Sequence, residues 1–217
     1  MHFYAGCGKC MNAERRNYAH EAEKCILCME AKNESVGGDD KIMVNPPGMG
    51  YNLKEVFDEM KLSVRRASQA DAGRIKDLLT QVEEVHHQGR PDIFLDGAKK
   101  YNDGQLSIII EDDCRPVFVA VDEDGYVCGY SFCVISQPDG SSMLSPIKTL
   151  YIDDLCVDEK MRGRGVGQLL YNYVKQYAKE AGCYHLTLNV WACNPAAMKF
   201  YEKQGMQMLK KEMEIIL

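Results

Sequence analysis

The chain has 217 residues, 46% of them hydrophobic and 27% charged, with a net charge of −6 at neutral pH, the make-up of a globular protein holding one ordinary domain and a small appendage. The acidic balance argues against nucleic acid as the main partner and suits a cationic substrate, and no apolar run reaches the roughly 18 residues of a membrane helix. The start lacks the apolar core of a secretory signal, so the ten cysteines are expected as reduced thiols in a cytoplasmic protein, some of them metal ligands.

Residues 1–32 carry Cys7-x-x-Cys10 and Cys25-x-x-Cys28, separated by 14 residues. Two such knuckles can close a tetrahedral thiolate site on zinc, with an iron–sulfur cluster ranked below it and four incidental thiols as the bland alternative. Residues 33–61 begin rich in Gly, Pro and Asp, as a linker, and end in a short helix expected over Leu53 to Met60. From Leu62 the pattern becomes regular. A strand over 62–67 precedes a helix over 69–86 with Ser68 as its cap, and a second helix follows over 99–112. Val117 to Val121 and Tyr126 to Ile135 form a hairpin across a Gly-containing turn. A polar loop leads to a long strand over 147–157, a helix over 165–181, a strand over 184–191, a helix over 194–204 and one or two closing strands over 206–217. The order β-α-α-β-β-β-α-β-α-β predicts an α/β fold, a three-layer α/β/α sandwich around a mixed sheet, over residues 62–217.

At the joint between the long strand and the next helix stands Arg162-Gly163-Arg164-Gly165-Val166-Gly167-Gln168. Glycines at such a turn let successive backbone N–H groups face one point, and the helix N-terminus adds its positive dipole end. That geometry suits a pyrophosphate. The spacing Arg-x-x-Gly-x-Gly is neither the dinucleotide fingerprint nor a P-loop. It resembles the coenzyme A signature of the GNAT acyltransferase superfamily, as does the later segment running from Asn194 through Phe200-Tyr201 to Gly205. The resemblance covers residues 62–217 and implies acetyl-CoA as co-substrate.

Carried over residue by residue, the resemblance makes Leu155, Cys156 and Val157 the strand that pairs with the pantetheine arm, Arg162 to Gln168 the pyrophosphate cradle, Asn194 a coenzyme contact and Tyr201 the general acid. Tyr151-Ile-Asp-Asp is similar to the strand of diamine acetyltransferases in which the first acid sits by the amine. This implies Asp153 in the cleft as base, water relay or cation anchor; strand alternation then puts Asp154 on the opposite face. Glu83, His86 and His87, in a loop expected to follow the first helix, are acceptor-site candidates. Cys156, between Leu and Val, reads as a small hydrophobe rather than an acyl carrier. The expected function is N-acetyl transfer from acetyl-CoA to a small cationic amine by direct attack in a ternary complex. Two rivals stand: acetylation of a protein lysine or N-terminus, and a non-catalytic coenzyme A sensor with a zinc interaction module. A homodimer is expected only by analogy with the family.

Overall fold

The computed structural model describes residues 61–138 and 145–217, and of the earlier chain only the backbone of Leu27–Cys28. The helix expected over 53–60 and the side chains of Cys7, Cys10, Cys25 and Cys28 lie outside the described residues. The strands are β1 (Leu27–Cys28), β2 (Ser63–Arg66), β3 (Val117–Val121), β4 (Val127–Ser136), β5 (Thr149–Val157) and β6 (His185–Leu188). The helices are α1 (Ala72–Gly89), α2 (Asp103–Glu111), α3 (Val166–Glu180) and α4 (Pro195–Lys203), with short 3-10 turns before α1 and after β5.

Side-chain caps open α2 and α4, and a network around Asp71 precedes α1. Asp71 accepts from the backbone N–H and the hydroxyl of Ser68, and the fork of Arg65 closes on the same carboxylate at 2.7 and 2.8 Å. Those bonds hold the Asp71 carboxyl down at about 2, the Arg65 guanidinium contributing most. Asn102 and Gln105 exchange reciprocal bonds of 2.9 Å at the head of α2, a capping box that starts the helix later than the periodicity of 99–112 suggests. Ile75, Leu78, Leu79 and Val82 recur on one face of α1 and are buried there, as a 3.6-residue period requires.

The sheet runs β1-β5-β4-β3-β2, with β6 also paired to β5. The pairs β2–β3, β3–β4 and β4–β5 are antiparallel, whereas β6 and β1 run parallel to β5. One face packs on α1 and α2 through Ile75, Leu78, Leu106, Tyr130 and Cys156. The other packs on α3 and α4 through Leu155, Val157, Leu170, Tyr171 and Tyr201. These are the three expected layers. Gly129 permits the close approach of β4, β5 and α3, since a Cβ there would lie 2.6 Å from the Cys156 carbonyl oxygen and 3.2 Å from Leu170.

Three expectations change. The first helix extends to Gly89, so Glu83, His86 and His87 stand on its last turns rather than in a loop. No strand forms over 206–217, whose large apolar side chains from Met208 onward lie exposed. Cys114, expected with the other cysteines as a reduced thiol, is disulfide-bonded.

Candidate active site

The exit from β5 is fixed before the glycine turn begins. Asp158 is buried, accepts from the Lys160 N–H at 3.0 Å and pairs with the Arg74 guanidinium, which itself lies 4.7 Å over the Tyr126 ring. The chain then turns through Gly163 at φ 76° and Gly165 at φ 80°. Nothing lies within 4 Å of a Cβ built at Gly165, so it is the left-handed backbone that calls for glycine there. Gly165 is the N-cap of α3, and its carbonyl receives the first helical bond, from Leu169 at 2.9 Å. The N–H groups of Val166, Gly167 and Gln168 precede that bond and have no intrahelical acceptor. They border an open cavity of about 190 Å³ that Arg162, Gly163, Phe200 and Lys203 also line. Backbone donors, a helix N-terminus and two flanking cations are what a pyrophosphate requires. Lys203 was not picked out from the sequence; its position one turn from Phe200 on α4 was the available signal.

Beside this turn β5 and β6 part. Their pairing covers Thr149 to Ile152 against His185 to Leu188 and stops there. Past the fork, Leu155 and Cys156 pair with Leu27 and Cys28. The stretch Leu155 to Val157, expected to hold the pantetheine arm, therefore carries a piece of the chain itself along part of its edge. Tyr201 is buried against Tyr171 and Phe200, ring centroids 6.1 and 5.2 Å away, on the α3–α4 side with Leu155 and Val157. Asn194 caps α4 by accepting from the Ala197 N–H at 3.0 Å, and Pro195 fills the first helical position. Cys156 is buried on the other face, its thiol 3.7 Å from the Leu78 carbonyl oxygen, as its reading as packing requires.

The acid pair corrects the sequence. Phe132 lies opposite Asp154, but the next residue, Cys133, lies opposite Ile152. Asp153 is thus the extra residue of a β-bulge, which breaks strand alternation. Both carboxylates consequently reach the same ammonium: Lys100 Nζ donates to Asp153 Oδ2 at 2.9 Å and to Asp154 Oδ2 at 3.4 Å. Asp154 is not on the opposite face. The Tyr101 hydroxyl donates to Asp153 at 3.2 Å and the Tyr130 hydroxyl to Asp154 at 3.0 Å. Glu83 joins the group, because its carboxylate accepts the backbone N–H of Lys100. Burial pushes the Asp154 carboxyl up to about 6, partly opposed by Lys100. Burial likewise raises Glu83. At Lys100 burial pulls downward, but Asp154 and Asp153 outweigh it and the ammonium is held more firmly than usual. Lys100 and Tyr101 were missed because a helix was expected from residue 99, and the Asn102–Gln105 box would have left them in the preceding loop; Tyr130, inside an expected strand, carried no local signal.

The two histidines serve a different neighbourhood. His86 stacks on Phe94 at 4.6 Å, and Phe94 meets Trp191 edge-on at 5.1 Å. His87 Nδ1 donates to the Phe94 carbonyl oxygen at 2.8 Å. They fasten the loop after α1 to the segment after β6. Among the described residues, no cluster of three or more His, Cys, Asp or Glu side chains forms a metal site, and no helix is long and apolar enough to cross a membrane.

The chain is similar to known proteins over most of the described residues. Residues 79–206 match the acetyltransferase (GNAT) family. A crystallised variant of the BH1408 protein from Bacillus halodurans is 33% identical with a TM-score of 0.69, covering 71% of this chain and 99% of its own. An uncharacterized N-acetyltransferase, YhfO, from Bacillus subtilis is 29% identical over 66% of this chain and 89% of its own. Streptothricin acetyltransferase from Streptomyces lavendulae is 32% identical over 48% of this chain; the chain spans about half that relative's length, 51%.

Proposed function

This chain belongs to the acetyltransferase (GNAT) family, and on that premise we propose that it moves the acetyl group of acetyl-CoA to the primary amine of a small cationic acceptor. The observation that carries the acceptor class is the bulge at Asp153, which sets two carboxylates side by side beside the fork and already holds one primary ammonium, that of Lys100. With Glu83 the cluster sets three carboxylates against one lysine, an environment that draws cations. The relative from Streptomyces lavendulae is named for streptothricin, which fits an acceptor of small size.

The glycine turn, Arg162 and Lys203 take the pyrophosphate, and Leu155 to Val157 receive the pantetheine arm once Leu27–Cys28 yields that edge. A backbone N–H near Val157 polarises the thioester carbonyl. The acceptor arrives as an ammonium, gives a proton to the acid pair directly or through a water, and attacks the carbonyl carbon. Asp154 suits the base role better than Asp153. Burial raises its proton affinity toward neutral pH; each acid has its Oδ2 engaged by Lys100 and a tyrosine hydroxyl, and among the described residues Asp154 Oδ1 is buried with no hydrogen-bond partner. The C–S bond breaks and Tyr201, on the opposite side of β5, protonates the leaving thiolate, giving the N-acetyl amine and coenzyme A.

The test is an acceptor panel of polyamines, aminoglycosides, amino acids and lysine peptides, with acetylated products read by mass spectrometry. Acetylation confined to small polycations is the expected result. Acetylation confined to the peptides moves the acceptor to a protein chain and defeats the small-amine reading.

A further inference from the structure

A lysine in a loop ordinarily keeps its ammonium in water, where its long stem moves freely. Lys100 does the opposite. Its side chain is only 21% exposed, and Nζ lies 2.9 Å from Asp153 Oδ2 and 3.4 Å from Asp154 Oδ2. The same ammonium stands 5.5 Å from the centre of the Tyr101 ring. The backbone is held on both sides of it. The Lys100 N–H donates to the Glu83 carboxylate on α1, and just downstream Asn102 and Gln105 close the capping box that starts α2. A loop fixed in this way delivers a cation to one place.

That place is the acid pair. The bulge at Asp153 brings two carboxylates onto one nitrogen. Carboxylates so close repel each other, and without a cation one of them keeps a proton. The charged and titratable groups packed around the pair are Glu83 from α1, Lys100 and Tyr101 from the loop before α2, Tyr130 from β4 and, beside Tyr130, the Cys156 thiol of β5. His86, further along α1, stacks on Phe94 instead. Lys100 supplies the positive charge in this group. On Asp154, burial acts upward, Lys100 downward and Asp153 upward, so the lysine and the neighbouring acid oppose each other on one carboxyl. Lys100 and the two tyrosine hydroxyls all use Oδ2 atoms, which leaves Asp154 Oδ1 buried without a partner among the described residues.

We infer that Lys100 is a positioning residue for acetyl transfer: its ammonium keeps Asp153 and Asp154 ionised together and, by engaging both Oδ2 atoms, reserves Asp154 Oδ1 for the proton of the acceptor. The inference rests on the reading of Asp154 as the base. The acceptor does not displace Lys100, which stays protonated throughout. One N–H bond of the acceptor's ammonium breaks, an O–H bond forms at Asp154 Oδ1, and the freed electron pair attacks the thioester.

The test is the cycle of Lys100→Met, Asp153→Asn and the double variant. Each is followed by the pH dependence of kcat/KM and by carbon-13 NMR titration of the aspartate carboxyls in the free full-length protein, with acetyl-CoA binding as the check of folding. In Lys100→Met the rising limb and the Asp154 titration are expected to move up by about 1–3 pH units. In Asp153→Asn both should move down, and in the double variant they should return toward the parent value. A midpoint that Lys100→Met leaves in place overturns the inference. So does one that it raises but Asp153→Asn fails to bring back, because the lysine then acts through the shape of the loop and not through charge. Should Lys100→Met fail to fold, Asp153→Asn and the double variant decide alone: loss of the lysine must raise the midpoint there too. The carboxyl titration needs neither acceptor nor turnover, so it judges Lys100 even where the acceptor panel defeats the small-amine reading.

Discussion

The register slip at Asp153 brings two neighbouring carboxylates onto one ammonium. Asp154 is raised to about 6 by burial, so it loses its proton as pH rises through about 6 and can act as a base only above that. The rate of acetyl transfer is therefore expected to climb with a midpoint near 6, and Asp154→Asn to abolish that limb while lowering the plateau, as pH–rate profiles will report. Tyr201→Phe keeps the ring among Tyr171 and Phe200 but removes the proton donor. It should lower kcat by on the order of 10²-fold and leave acetyl-CoA affinity nearly unchanged, measurable by calorimetry beside steady-state rates. The placement of Tyr201 in a capped helix was legible because its neighbours in sequence, from Asn194 to Gly205, are also its neighbours there. The Asp153–Asp154 arrangement was not, because the bulge depends on β4 and the counter-ion Lys100 lies 53 residues away in the chain.

At the scale of elements, the coenzyme turn joins a strand end pinned by Asp158 to a helix whose first N–H groups are unspent. Gly165→Ala places a Cβ at a positive φ, at a cost of about 1–2 kcal/mol, and the backbone can relieve it only by turning the cradle N–H groups away. Weaker acetyl-CoA binding, with a modest drop in melting temperature, is the expected result. Asn194→Ala removes the α4 cap and should cost about 1 kcal/mol, read by denaturant unfolding. Local signals of this kind, caps and turn glycines, were plain in the sequence, and α3 and α4 fall within a residue or two of their expected bounds. The strand expected over 184–191 shortened to His185–Leu188, and the strand expected over 206–217 did not form, because strands need partners that local sequence does not specify.

For the molecule as a whole, the layered sandwich followed from the order of elements, and the family match over residues 79–206 bears it out. The cysteine pairs of residues 1–32 and their expected zinc remain a separate question, which metal analysis of the purified protein by mass spectrometry answers directly. Stability carries the imprint of the acid pair. The fold binds the Asp154 proton more tightly than the unfolded chain does, so between about pH 4 and 6 stability falls as pH rises, by roughly 3 kcal/mol from this group. Asp71, held down at about 2, acts in the opposite sense, its contribution being lost as pH falls from about 4 toward 2. Chemical denaturation across pH should show both limbs, and Asp154→Asn should flatten the upper one.

The most direct measurement is intact-mass spectrometry of enzyme and acceptor together, taken over time after mixing the full chain with acetyl-CoA and a reactive small amine. The predicted result is acetyl on the amine alone, with the protein mass unchanged throughout and the rate reduced in Tyr201→Phe. An acetyl group accumulating first on the protein, or no acetyl reaching any amine while acetyl-CoA stays bound, would contradict direct transfer at this site.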